Sequence, residues 1–126
     1  MKKLLFALLL VSASAWAEWT IVNRDESGIS NYVDLATMRK RGDRVRMWSL
    51  LDYKTQQLSE GTPPYLSSKG QDEYDCKGER YRVLYYSNHS KNMGGGVIVH
   101  FNPDPMMWLP VPPGSVVEHV WKMVCK

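Results

Sequence analysis

Along the middle of the chain, apolar and polar positions alternate in short runs, the period expected of β-strands. Six such runs, "EWTIVNR", "SNYVDL", "RVRMWSLLDYKT", "PYLSSKGQDEYD", "ERYRVLYYSN" and "GVIVHFN", are rich in valine, isoleucine, tyrosine and tryptophan. Turn-forming residues separate most of them: Glu26-Ser27-Gly28, Arg41-Gly42-Asp43, Gly61 to Pro64 and Gly94-Gly95-Gly96. Strands that follow one another without intervening helical patterns predict an antiparallel sheet in meander order. In the third run Val45, Met47, Ser49, Leu51 and Tyr53 share one face, and Arg44, Arg46, Trp48, Leu50 and Asp52 the other. In the fifth, Tyr81, Val83 and Tyr85 alternate with Arg80, Arg82, Leu84 and Tyr86. Neither face is cleanly polar, so the side left uncovered is open to a ligand, a partner or a second copy through the sheet. Tyrosines simply lying half-exposed on a one-sided sheet are the alternative.

The period changes near the C-terminus. Ser115 followed by Glu118 has the spacing of a capping box, in which the two side chains satisfy free N–H groups at a helix start. Val116, Val117, Val120, Trp121 and Val124 then fall on one helical stripe, with Glu118, Lys122 and Lys126 away from it. A helix of about ten residues is marginal alone and must be held by packing. The valine content leaves a terminal strand open as the alternative.

Cysteine use bears on the same segment. Cys76 and Cys125 are the two cysteines of the chain, so one intramolecular pairing exists. That disulfide would fasten the far end of the helix to the segment around Cys76. A metal pair or a redox couple is the rival reading, but a Cys-x-x-Cys spacing and a histidine cluster are both missing.

The first residues, "MKKLLFALLLVSASAWAEW", show two lysines, an apolar run from Leu4 to Val11, and small residues ending in Ala15-Trp16-Ala17. This is the layout of a secretory signal peptide with cleavage before Glu18. The apolar run falls well short of the roughly 20 residues a membrane-spanning helix needs. No cysteine lies near the cleavage site to accept a lipid. The expectation is an exported protein without a membrane anchor after cleavage, in an environment where disulfides persist. Residues 18–126 then form a single domain.

Removing residues 1–17 changes the charge picture. The full chain carries +3, whereas residues 18–126 hold 14 Lys+Arg against 13 Asp+Glu. Nothing in that balance calls for nucleic acid. The remaining basic cluster is "RKRGDRVR", where Arg39, Lys40, Arg41, Arg44 and Arg46 surround a turn. With Tyr85 and Tyr86 as aromatic neighbours these are the candidate partner-binding residues, because arginine and aromatic side chains dominate protein interfaces.

Catalytic patterns do not emerge. The glycines of "NMGGGV" lack the serine of a nucleophile elbow and the lysine of a phosphate loop. Asp72, Glu73 and Asp75 could do acid and base work, but a solvated strand edge accounts for them. His89, His100 and His119 fall in different elements. "NPDPMMWLPVPPGS", with five prolines, reads as a crossing loop. Met106 and Met107, with Met93, His100 and Trp121, leave open a periplasmic small-ligand or metal site for copper or haem.

Taken in order, "YVDLATMRKRGDRVRMWSLLDY", "YLSSKGQDEYDCKGERYRVL", "YYSNHSKNMGGGVIV" and "PPGSVVEHVWKMVC" resemble the surface-adhesin protein E family of Gram-negative bacteria. The resemblance covers Trp19 to Cys125. It implies an α+β fold, an antiparallel meander sheet of about six strands with a C-terminal helix pinned to one face by a disulfide. It further implies a homodimer through the sheet and a non-enzymatic exported protein that binds host extracellular-matrix proteins, with no cofactor. Placement in the periplasm or at the cell surface both fit the leader.

Overall fold

The computed structural model describes residues 18–126, and the signal peptide expected over 1–17 lies outside them. Among the described residues, strands β1 (Thr20–Arg24), β2 (Ile29–Arg41), β3 (Arg44–Ser59), β4 (Thr62–Asp75), β5 (Arg80–His89) and β6 (Ile98–Asn102) pair antiparallel in sequence order. The meander follows from its turns. Glycines at Gly42 and Gly61 take positive φ, +60° and +76°, which two-residue hairpin turns demand and a side chain resists.

Three elements differ from the sequence expectation. β2 runs on to Arg41 because side chains replace ladder bonds across an irregular stretch between Asp34 and Arg39. There the Thr37 hydroxyl donates to the Asp34 carbonyl and accepts from the Trp48 N–H. The turn expected over Gly61 to Pro64 is tighter, and β4 begins at Thr62. Pairing around Pro63 and Pro64 is irregular, since proline has no N–H to give the ladder. Finally, the proline-rich crossing contains a short strand, β7 (Leu109–Pro110), paired with β5 at Tyr81 and Arg80.

One helix, α1 (Val116–Val124), closes the chain. The Ser115 hydroxyl accepts from the Glu118 N–H at 3.1 Å. The return bond of the capping box is displaced by one residue. Glu118 accepts from the Gly114 N–H at 3.2 Å, because the Ser115 N–H already donates to Pro112. Val120 and Val124 are buried against Val33, Val45, Met47 and Tyr74, which form the core. The Trp121 indole donates to the Asp75 carbonyl at 3.0 Å, and the Cys76–Cys125 disulfide joins Cα atoms 5.3 Å apart beside it. The α+β expectation and the pinned helix hold.

The opposite face of the sheet is covered in two places by loops. At one end Ser67 donates to the Lys91 carbonyl and accepts from the Gly94 N–H, while Asp52 accepts from Asn92 and the Met93 N–H. Leu50 is buried beneath this loop, 3.9 Å from where a side chain on Gly94 would begin. At the other end Trp108 lies across Arg44, Arg80 and Arg82, with guanidinium carbons 5.2, 4.4 and 4.5 Å from its ring centre.

Candidate functional site

Strand alternation sorts the basic cluster. Arg39 pairs with Arg46 and Arg41 with Arg44 across the β2–β3 hairpin, so all four share the helix-free face. They line a depression of about 420 Å³ together with Gln71 and Glu73. Lys40 pairs with the core residue Val45 and points to the helix side, its ammonium 3.5 Å from the carbonyl of Lys126.

A buried acid ties Arg46 to Arg82 of β5. Glu73, only 2% exposed, accepts from Arg46 at 2.8 Å and from Arg82 at 3.0 and 2.8 Å. Burial acts to raise its pKa, but the hydrogen bonds and charges of the two arginines outweigh burial and hold it below the usual glutamate value. Asp75 is held low chiefly by the Gly78 N–H, and also by Arg80.

Tyr85 and Tyr86 separate. A bulge between Gln71 and Asp72 of β4 leaves Leu84 as the extra residue on β5. Beyond it the alternation flips, so Tyr85 faces the same side as Arg82 instead of Tyr81 and Val83. Its ring meets Trp48 edge to face at 5.8 Å, and the Lys69 ammonium stands 5.1 Å from that indole. Tyr86 points to the helix side, where its hydroxyl stands 3.4 Å from His100 Nε2. The helix-free face therefore brings together Arg39, Arg41, Arg44, Arg46 and Tyr85, but neither Lys40 nor Tyr86.

The acidic run "DEYD" is not a solvated edge. β4 is paired on both sides, by β3 and β5, so its side chains lie over the middle of the sheet. Glu73 and Asp75 meet arginines on neighbouring strands, a pairing that alternate arginines at 80 and 82 foreshadow. Asp72, one step out of phase, points to the helix side, where Ser49 donates to it at 2.6 Å. Burial raises its carboxyl to about 6, opposed by the Ser49 bond. This residue lies where two cavities meet. One, of about 500 Å³, extends beyond the helix, and the other, of about 260 Å³, lies under Val116, Val117 and Val120.

The possible soft-ligand set is not assembled. Met93 sits in the Asn92–Gly94 turn bonded to Asp52, and the Met106 N–H donates to Val83 of β5. The cavity between sheet and helix is lined by none of Met93, Met106 or Met107. Among the described residues no group of three His, Cys, Asp or Glu side chains is gathered as for a metal ion. His89 is buried and bonded to Ser87 at 2.8 Å. No helix among the described residues is long and apolar enough to cross a membrane.

Comparison with known proteins agrees with this architecture. A search of curated proteins finds no match. Crystal form II of Haemophilus influenzae protein E superposes with a TM-score of 0.62 at 11% identity, covering 75% of this chain and 79% of that one. Protein E from non-typeable Haemophilus influenzae superposes with a TM-score of 0.63 at 9% identity, covering 90% and 78%. Identity this low shows a shared fold. The sequence profile of the surface-adhesin protein E family matches residues 19–126. The chain, with its six-strand meander and disulfide-tethered terminal helix, belongs to the surface-adhesin protein E family.

Proposed function

We propose that this protein is an exported, non-enzymatic adhesin, residues 1–17 serving as its signal peptide and residues 18–126 as one binding domain. Its partner is a protein, in the class of host extracellular-matrix components, contacted through the helix-free face. The observation that carries this reading is the gathering of Arg39, Arg41, Arg44 and Arg46 around one depression beside Tyr85 and Trp48. Exposed arginines beside aromatic rings suit an acidic, partly apolar segment of a partner.

Intact cells carrying the protein are expected to adhere to immobilised matrix proteins, and protease treatment of the cells should abolish adhesion. Replacing Arg41 and Arg44 together with alanine should lower adhesion at least several-fold. Cells whose protein survives protease while a periplasmic control is equally protected would place it in the periplasm and remove the adhesin role. A Lys40→Ala loss as large as the double variant's would mean that the contact is not confined to the helix-free face.

The homodimer through the sheet belongs to the same proposal. Ile98 and Phe101 pair with His89 and Ser87 and stand 52% and 57% exposed on the β6 edge, an apolar surface of the kind subunits cover. Sedimentation should show a dimer that Phe101→Asp converts to monomer. A wild-type monomer at tens of micromolar would rule this arrangement out.

A further inference from the structure

Asp72 is a carboxylate without a counter-charge. Its acceptor bond from Ser49 occupies Oδ2, and among the described residues no lysine or arginine lies within ion-pair distance of it. The neighbouring acids Glu73 and Asp75 both have arginines, so the difference is local. At neutral pH the group is charged despite the burial that raises it to about 6, and among the described residues no lysine or arginine pairs with that charge.

What surrounds Asp72 suits an organic cation. The cavity beyond the helix, about 500 Å³, falls within the range of small-molecule sites. Leu51, Val83, Tyr65 and Tyr86 give it apolar and aromatic wall. The Ser68 hydroxyl donates to the Asn88 side-chain oxygen at 2.6 Å. Among the described residues Lys69 is the one lysine or arginine along the wall, but its ammonium is drawn over Trp48 on the other face of the sheet. The carboxylates that remain are Asp72 and Glu60, the latter exposed in the β3–β4 turn at the mouth. Aromatic rings and carboxylates together favour ammonium groups.

A single ammonium would leave most of this space empty and one carboxylate unused. We propose that the cavity binds an aliphatic diamine or polyamine, with one ammonium on the free oxygen of Asp72 and a second at Glu60. The methylene chain between them lies along Leu51, Val83 and the tyrosines. This site is on the helix side of the sheet and is independent of the adhesive face.

Calorimetric titration of disulfide-intact protein at pH 7.5, with spermidine as the probe, tests it. Wild type should bind. Asp72→Asn, which keeps an acceptor for Ser49, should weaken binding at least tenfold. Glu60→Gln, in an exposed turn that does not endanger folding, should weaken spermidine several-fold but leave the monoamine butylamine unaffected. Three results would overturn the proposal: no binding by wild type at millimolar spermidine, undiminished binding by Asp72→Asn, or displacement of spermidine by magnesium at equal charge concentration, which would indicate screening of a diffuse negative field.

Discussion

Cys125→Ser should lower the melting temperature of the oxidised protein by about 10 °C or more, the result of losing a few kcal/mol in a domain of this size. The disulfide spans 49 residues of chain. Closing a loop of that length restricts the unfolded ensemble by roughly 4 kcal/mol in the chain-entropy picture. The native state contributes as well. α1 has nine residues, buries Val120 and Val124 fully and packs Val116, Val117, Trp121 and Met123 partly against the core, while the Trp121 bond and the disulfide fix its far end. Exposure of Val33, Val45 and Met47 would follow any detachment of the helix. Wild type in reductant should melt with the variant. Coincident curves for oxidised wild type and Cys125→Ser would show that packing alone holds the helix.

Asp72→Asn should stabilise the protein at neutral pH, by up to about 3 kcal/mol, taking ~1.4 kcal/mol for each pH unit between 3.8 and about 6. The folded state holds the Asp72 proton more tightly than the unfolded chain does. Its contribution to stability is therefore complete below pH 3.8 and is lost as pH rises through about 6. Other groups act in the opposite sense. Glu73 and Asp75 are held low and lose their stabilising effect as pH falls below the ordinary carboxylate range. His89 is held below 6.5, by burial first and by Lys69 second, so the fold resists its protonation. These groups are common to both proteins and cancel in the difference between them. Denaturant unfolding from pH 4 to 8 should show the variant's advantage growing across pH 4 to 6 and then constant. A pH-independent difference would mean that Asp72 is not perturbed by folding. The same experiment confirms that Asp72→Asn is folded, so its loss of amine binding cannot be ascribed to misfolding.

Much of the fold was legible in local pattern, because strand alternation, turn glycines and helix caps are short-range. Ser115, Glu118 and the valine stripe are contained in one segment, and the helix appears where they put it. Two cysteines have one way to pair within the chain. The site was less legible. Tyr85 and Tyr86 stand beside the basic cluster in any list of interface-forming residues, but the bulge at Leu84 decides which of them faces it. A bulge costs no residue type that a sequence displays; it arises from how β4 and β5 fit along their length.

The succession of strands, the terminal helix, its tether and the basic cluster around one hairpin are all written in local residue patterns. Each depends on residues close along the chain, or on a count of two. Which acid meets which arginine depends instead on how the strands lie beside one another. Glu73 and Asp75 are satisfied and Asp72 is not because neighbouring strands bring Arg46, Arg80 and Arg82 to one face of the sheet, while alternation sends Asp72 to the other. The charge that remains unpaired there, and the cavity above it, come from the relation between β3, β4 and β5 and from a helix too short to cover the whole face.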